Sequence, residues 1–175
     1  MRHNKLRAEM RLFMASTQPD IRLESADPET VLEELKTVYR SAYRELPAYA
    51  YRTDEEIEAY LRWLKKRGQG RLLVAFAGQR PVGFVAVDDR WETLNGQRVG
   101  EIHEIVVHPD YQGRALGKRL LEAGLELLRQ KGMKRFELWV GDKNERAKAF
   151  YLKEGFQQRG HWGKWLRMWR EEEAG

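Results

Sequence analysis

The chain has 175 residues, of which 42% are hydrophobic and 11% aromatic, and this is enough apolar material for one compact domain but not for two. It contains no cysteine, which excludes disulfides, thiolate metal sites and a cysteine nucleophile. No run of about 18 apolar residues occurs, and the charged start MRHNKLRAEMRLF does not fit a secretory signal. We therefore expect a cytoplasmic protein that does not associate with membranes.

The formal net charge of +5 favours an anionic partner through long-range attraction. Acidic residues are interleaved with the basic ones almost everywhere, so the sequence lacks the concentrated basic stripe of a nucleic-acid-binding protein. A phosphorylated ligand fits this charge at least as well as RNA does, and we do not expect nucleic acid as the partner.

The apolar pattern divides the chain into an N-terminal extension, residues 1–20, and one domain, residues 21–175. The extension is basic and ends at Gln18-Pro19-Asp20, where proline discourages continuation of a helix. In the domain we predict the element order βααβββαβαββ. Asp27-Pro28 and Thr53-Asp54 are typical of helix starts, and Asn95-Gly96 is typical of a tight hairpin turn. The later elements are predicted as a helix at 116–131, a strand at 135–140, a helix at 144–153 and two strands joined at Gly163-Lys164.

The segment EIHEIVVHPDYQGRALGKRLLEAG, residues 101–124, joins a strand directly to a helix. Pro109 cannot donate a hydrogen bond to a β-ladder, so we expect the chain to leave the sheet there. The first N–H groups of the following helix have no helical acceptor, and the helix dipole adds partial positive charge. The turn Gln112–Gly117 is therefore predicted to bind an anion such as a phosphate. The alternative is a plain connection, because a single glycine-bearing turn is weak evidence and the spacing fits neither a Walker loop nor a dinucleotide fingerprint.

Two motifs in this half of the chain resemble those of the Gcn5-related N-acetyltransferases, the GNAT family. VVHPDYQGRALGKRLL is similar to the acetyl-CoA-binding motif of that family, and NERAKAFYLKEGF, about 30 residues further on, is similar to its second signature. The resemblance implies an α/β (α+β) fold with a mixed, mainly antiparallel sheet of about seven strands, four flanking helices and a splay between the fourth and fifth strands. It also implies direct acetyl transfer from acetyl-CoA to a primary amine of a small molecule, peptide or protein in a ternary complex, with no metal.

The resemblance further implies where acetyl-CoA would bind. Its pantetheine arm would bond to the main chain of Ile105, Val106 and Val107, and its pyrophosphate to the amides of Gln112, Gly113, Arg114, Ala115, Leu116, Gly117 and Lys118. The second signature adds Asn144, Ala147 and Phe150 to this set. Ala115 stands where the family usually has a glycine. A positive φ at Ala115 would cost of order 1 kcal/mol and crowd the phosphate, so we expect a slightly shifted pyrophosphate site.

Acetyl transfer requires a base for the amine and a proton for the departing thiolate. The resemblance implies that Tyr151 supplies this proton, since a phenol still carries its proton at neutral pH. Glu101 and His103 are two residues apart on one strand, so they are predicted to face the same side, with Glu104 on the other. The resemblance favours Glu101 as the base, and His103 is the alternative. Both could instead be charges that only hold the substrate or pair with an arginine.

Aromatic residues are predicted to line the acceptor pocket, where they would suit an apolar amine, a peptide or a cation. The candidates are Tyr39, Tyr43, Tyr49, Tyr51, Trp162, Trp165 and Trp169. A non-catalytic acyl-CoA sensor, suggested by Ala115, and an RNA-associated protein, suggested only by the positive charge, are the alternative functions. A homodimer is compatible with the sequence.

Overall fold

The computed structural model describes residues 20–173, so the predictions for residues 1–19 and for the last two residues lie outside the described part of the chain. The predicted element order is confirmed. The strands are β1 (Ile21–Ala26), β2 (Leu72–Ala77), β3 (Arg80–Glu92), β4 (Arg98–Val107), β5 (Arg135–Gly141), β6 (Gln157–Trp162) and β7 (Trp165–Glu171). The α-helices are α1 (Leu32–Ala42), α2 (Asp54–Arg67), α3 (Leu116–Gln130) and α4 (Glu145–Lys153).

The predicted start at Thr53-Asp54 is confirmed for α2, whereas the predicted start at Asp27-Pro28 belongs to a short turn that precedes α1. Thr53 and Glu56 form a complete capping box at the start of α2, in which each side chain accepts from the other residue's backbone N–H. Such a cap stabilises a helix by about 1 kcal/mol. Asp27, in contrast, caps a short 3-10 turn at Pro28–Val31, and α1 begins only after that turn.

The seven strands form one sheet in the order β1-β2-β3-β4-β5-β7-β6. Only β4 and β5 are parallel neighbours, and their pairing is confined to Gly100–Ile102 against Phe136–Leu138. Beyond these residues the two strands separate, because β4 continues to Val107 without a partner on that side. The predicted splay between the fourth and fifth strands is therefore confirmed.

Helices cover both faces of the sheet. Helices α1 and α2 bury their apolar residues against one face of β2, β3 and β4, and α3 and Tyr151 of α4 pack on the other face. Leu120, Leu121 and Leu125 of α3 are completely buried, and each such side chain contributes roughly 1.5–3 kcal/mol of hydrophobic stabilisation. Within residues 20–173, none of the helices has the length and apolar character needed to cross a membrane.

Strand β4 contains a β-bulge at His103. Glu104 is opposite Ala86 and Ile102 is opposite Val87, which leaves His103 as an additional residue. An additional residue shifts the alternation of side chains by one. The prediction that Glu104 faces away from His103 is therefore wrong: α2 contacts the His103 ring through Trp63 and the Glu104 carboxylate through Tyr60.

Candidate active site

A cleft of about 610 Å³ opens where β4 and β5 separate, and its volume is in the range of small-molecule sites. Its walls come from α1, α2, the segment 48–51, the strands β3, β4 and β5, the start of α4, and the β6–β7 turn. Glu101, His103, Ile105, Asn144, Ala147 and Tyr151 are the predicted site residues that line it. Residues from distant parts of the chain thus meet at the splay.

The turn before α3 has the geometry of an anion site. Gly113 has φ +76° and Ala115 has φ +57°, so Ala115 adopts the left-handed conformation that favours glycine. Ala115 provides no side-chain cap, and the first helical bond runs from the Arg119 N–H to the Ala115 carbonyl. The N–H groups of Leu116, Gly117 and Lys118 consequently have no acceptor within the helix. These amides and the dipole of α3 favour a bound phosphate.

The register of β3 and β4 determines which main-chain groups of β4 face the splay. The His108 N–H donates to the Val82 carbonyl, and two residues earlier Val106 is opposite Phe84. Because hydrogen-bonded pairs alternate along an antiparallel ladder, Val106 is bonded to β3 and Ile105 and Val107 point to the splay. The prediction is corrected for Val106, whose main chain is occupied. The Val107 carbonyl accepts from the side-chain Nε2 of Gln112 at 3.0 Å. The main-chain groups that remain free towards the splay are therefore the Val107 N–H and the N–H and carbonyl of Ile105.

The second predicted signature lies on α4, next to the turn. Asn144 caps α4, since its side chain accepts from the Ala147 N–H at 3.3 Å. Arg146 donates to the Gln112 side chain at 2.5 Å, and the Phe150 ring lies 3.9 Å from the position that a Cβ on Gly117 would take. These contacts hold the start of α4 beside the start of α3.

Glu104 is partly buried among the tyrosines of α1 and α2. It accepts hydrogen bonds from the Tyr43 hydroxyl at 2.5 Å and from the Tyr60 hydroxyl at 2.9 Å. Burial raises the pKa of Glu104 to about 7, although both phenols act in the opposite direction. A carboxylate with this pKa can take a proton near neutral pH. The sequence did not predict Glu104 in the cleft, because strand alternation placed it on the opposite face of the sheet.

Glu101 is buried and has a different partner. Arg167 of β7 donates to both of its carboxylate oxygens at 2.6 Å, so both oxygens are occupied by a bidentate cation. Burial raises the pKa of Glu101 to about 7, against the hydrogen bonds and the charge of Arg167. The ring of Trp139 lies 5.0 Å from the Arg167 guanidinium.

His103 is held by an aspartate and two tryptophans. Its Nε2 lies 2.9 Å from Asp88 Oδ2, and its ring is in edge contact with Trp63 and Trp91. Burial acts to raise the pKa of Asp88, but the hydrogen bonds from His103 and Arg67 lower it to about 2. Asp88 is therefore ionised at any physiological pH and holds His103 in place.

Tyr151 is buried on α4 between the rings of Phe150 and Phe156, at centroid distances of 5.1 and 5.7 Å. Burial first, and then the negative charge of Glu104, raise the pKa of its phenol. Tyr151 thus keeps its proton at neutral pH while it lines the same cleft as Glu104.

The aromatic walls of the cleft are more extensive than predicted. Six of the seven predicted aromatic residues line it, and Tyr60, Trp63, Trp91 and Trp139 are added. Trp169 is the exception: its ring lies beside the guanidinium groups of Arg135 and Arg159. Tyr49 holds the segment 48–51 against β5, because its hydroxyl donates to Asp142 at 2.6 Å.

A group of acidic residues lies outside the cleft, at Glu33, Asp54 and Glu58. The buried ammonium of Lys36 lies among their carboxylates, at 2.9, 2.5 and 2.7 Å. The buried lysine supplies the positive charge that balances these largely exposed carboxylates, so the arrangement is an ion-pair cluster at the surface.

A splayed sheet, with an uncapped helix at one end of the gap and a carboxylate and a phenol in its cleft, defines an acyl-CoA-type transferase fold. Residues 32–156 match the family model described as the acetyltransferase (GNAT) family. This match covers more than half of the chain, and the chain belongs to that family.

Relatives and solved structures agree with this assignment. The chain is 37% identical, over 78% of its length and 61% of the relative's, to an uncharacterized N-acetyltransferase of Methanocaldococcus jannaschii. It is also 37% identical to an uncharacterized N-acetyltransferase of Archaeoglobus fulgidus, over 73% of this chain and 87% of the relative. The chain thus spans less than two thirds of the first relative's length.

Two solved structures have the same fold. A protein of Pyrococcus horikoshii OT3 superposes with a TM-score of 0.80 at 35% identity, covering 89% of this chain and all of that chain. The PaiA N-acetyltransferase of Thermoplasma acidophilum, solved in complex with coenzyme A, superposes with a TM-score of 0.69 at 25% identity, covering 87% of this chain and 99% of that chain.

Proposed function

We propose that this protein transfers the acetyl group of acetyl-CoA directly to a primary amine in a ternary complex. The proposal rests on one observation: at the splay, β4 both leads into the uncapped N-terminus of α3 and carries a carboxylate in the cleft. This carboxylate lies three residues before Val107 and lines the cleft together with a buried phenol. The coenzyme A complex of the structural neighbour supports the choice of carrier.

The turn and α4 would hold acetyl-CoA. The N–H groups of Leu116, Gly117 and Lys118 would bind the pyrophosphate, with Gln112, Gly113 and Arg114 completing the turn. The free main-chain groups of Ile105 and Val107 would bind the pantetheine arm in the gap between β4 and β5. This arrangement directs the thioester towards Tyr151.

We assign the base to Glu104 and not to Glu101, although the resemblance favoured Glu101. Both oxygens of Glu101 accept from a guanidinium inside the protein, and the side chain is only 2% exposed. Glu104 is paired with two neutral phenols and with no cation among the described residues, and it reaches the cleft. A charge without a cationic partner is a stronger proton acceptor than one in a bidentate ion pair.

In the resulting reaction the amine nitrogen attacks the acetyl carbonyl, a C–N bond forms and the C–S bond breaks. Glu104 takes the proton that the nitrogen loses, and Tyr151 gives its proton to the departing thiolate of coenzyme A. The raised pKa of Tyr151 ensures that this proton is present when the thiolate leaves. The products are the N-acetylated amine and coenzyme A.

The test begins with calorimetric titration of acetyl-CoA, followed by measurement of coenzyme A release with a panel of amines. We expect binding and turnover, and we expect Tyr151→Phe to lower kcat by about 100-fold or more without changing the Kd of acetyl-CoA. The unchanged Kd serves as the control for folding. Binding of acetyl-CoA without turnover of any amine would favour the sensor alternative, and absence of binding would refute both.

A further inference from the structure

One part of the cleft is built almost entirely of rings. We call it the aromatic compartment, and it consists of Tyr51, Tyr60, Trp63, Trp91 and His103. Neighbouring ring centroids lie 4.7–6.3 Å apart, as is usual for interacting aromatic side chains. Tyr51 is 48% exposed and Trp63 is 39% exposed, so parts of these rings are open to a ligand.

The carboxylates near the compartment differ in whether a cation balances them. Arg167 balances Glu101, and Arg67, at 2.5 Å from Asp88, balances that carboxylate. Among residues 20–173, the hydrogen bonds to the Glu104 carboxylate come from the hydroxyls of Tyr43 and Tyr60. When ionised, Glu104 therefore makes this part of the cleft negative.

In the described part of the chain, the cleft has few positively charged side chains that could bind an acidic group on the acceptor. Within residues 20–173, Lys164 is the one lysine or arginine among the residues that line it. Its ammonium donates to the Ala48 carbonyl and lies near the rings of Tyr49 and Trp165, on the β6–β7 turn. A carboxylate or phosphonate on the acceptor would have to enter beside Glu104 without a guanidinium to receive it, and an unpaired buried charge is strongly disfavoured.

We propose that the acceptor is a primary amine with a flat aryl body and no acidic group. This inference rests on the proposed function. The amine would lie at Glu104, and the aryl body would stack on the rings of the aromatic compartment. A relative named aminoalkylphosphonate N-acetyltransferase, from Salmonella typhimurium, is 35% identical over 44% of this chain, and the proposal predicts that this chain does not share a preference for phosphonates.

The test compares kcat/KM within matched pairs of amines that differ by one acidic group. The pairs are tryptamine and tryptophan, 2-phenylethylamine and phenylalanine, and ethylamine and 2-aminoethylphosphonate. We expect the non-acidic member of each pair to be preferred by about 100-fold or more, because the acid would enter beside Glu104 while the Lys164 ammonium already donates to the Ala48 carbonyl. Equal or better turnover of the acidic members would overturn this inference and leave the proposed function intact. Turnover of no amine at all would overturn both.

A variant tests the role of the rings. Trp63→Ala should raise KM for tryptamine about tenfold, the effect of losing one aromatic contact. It should raise KM for ethylamine much less, because ethylamine has no aryl body to stack on the rings. Activity on ethylamine shows that the variant is folded. Trp169→Ala is the matched control, since Trp169 lies outside the cleft, and it should change neither value. A stronger preference of the parent protein for alkyl diamines than for arylethylamines would overturn the aryl assignment.

Discussion

The two ends of the cleft are built in different ways. At the proposed cofactor end, the main-chain N–H groups of one short segment, 116–118, have no acceptor within the helix and would bind the phosphates. At the acceptor end, side chains from α1, α2, β3, β4, β5 and β7 meet. A site made of backbone groups in one turn depends on local sequence, whereas a site made of side chains depends on how distant elements pack.

The contrast is sharpest between Glu101 and Glu104. They are three residues apart on β4, and burial raises the pKa of each to about 7. Only long-range partners distinguish them, a guanidinium from β7 for one and two phenols from α1 and α2 for the other. The chemistry of a carboxylate is thus decided by its neighbours in space.

Substitution of the two carboxylates tests this contrast most directly. Glu104→Gln removes the proposed base and should lower kcat/KM by about 100- to 10,000-fold, the usual contribution of a general base. Glu101→Gln, the matched control, removes the charge that pairs with Arg167 and should lower stability, but at a temperature where both variants are folded it should reduce kcat/KM much less. Steady-state kinetics of coenzyme A release would measure both. A larger loss of activity in Glu101→Gln would return the base to Glu101.

The ion pair of Glu101 should contribute to folding. Removing one partner of a buried ion pair costs about 3–5 kcal/mol, because the other charge remains buried. We expect Arg167→Met to lower the free energy of unfolding in urea by this amount. The double variant with Glu101→Met should recover most of the loss, because no buried charge remains. A double variant as unstable as the single one would contradict this role.

The pH dependence separates the carboxylates further. A base must be ionised to act, and with a pKa of about 7 for Glu104 its contribution should rise with pH and then level off. Below that pKa, the ratio of kcat/KM of the parent protein to kcat/KM of Glu104→Gln should therefore increase about tenfold with each unit by which the pH is raised. Above that pKa, the ratio should be constant. In Glu101→Gln, which keeps Glu104, kcat/KM should show the same rise with pH as in the parent protein. A ratio independent of pH would exclude Glu104 as the titrating base.

The smallest effect is expected at the cofactor end, at Ala115. Its φ of +57° is costly for alanine, so Ala115→Gly should stabilise the protein by up to about 1 kcal/mol and tighten acetyl-CoA binding by at most about fivefold. Thermal unfolding and calorimetry would measure the two effects. Ala149→Gly, on the exposed side of α4, is the control and should instead destabilise by about 0.5–1 kcal/mol. Weaker acetyl-CoA binding in Ala115→Gly would show that the alanine contributes to the site.

Several features of the fold could be predicted because they have local causes. The capping box at Thr53 and the hairpin turn at Gly96, which has φ +77°, follow from residue chemistry within a few positions. The start of α3 follows from Pro109 and from Gly113 in the turn before the helix. The face on which Glu104 lies could not be predicted from local sequence, because it is changed by a β-bulge, and the bulge depends on the register between β3 and β4.

The sequence by itself determined the order of elements, the position of the turn before α3 and the helix that carries Tyr151, because backbone preferences and apolar periodicity act over short distances. Only the tertiary structure decided that the backbone of Ala115 is in the left-handed conformation, that Arg167 donates to both carboxylate oxygens of Glu101, and that Tyr43 and Tyr60 donate to Glu104. The partners of Glu101 and Glu104 lie 66, 61 and 44 positions away in the sequence, and such contacts exist only after the helices and the sheet have packed together.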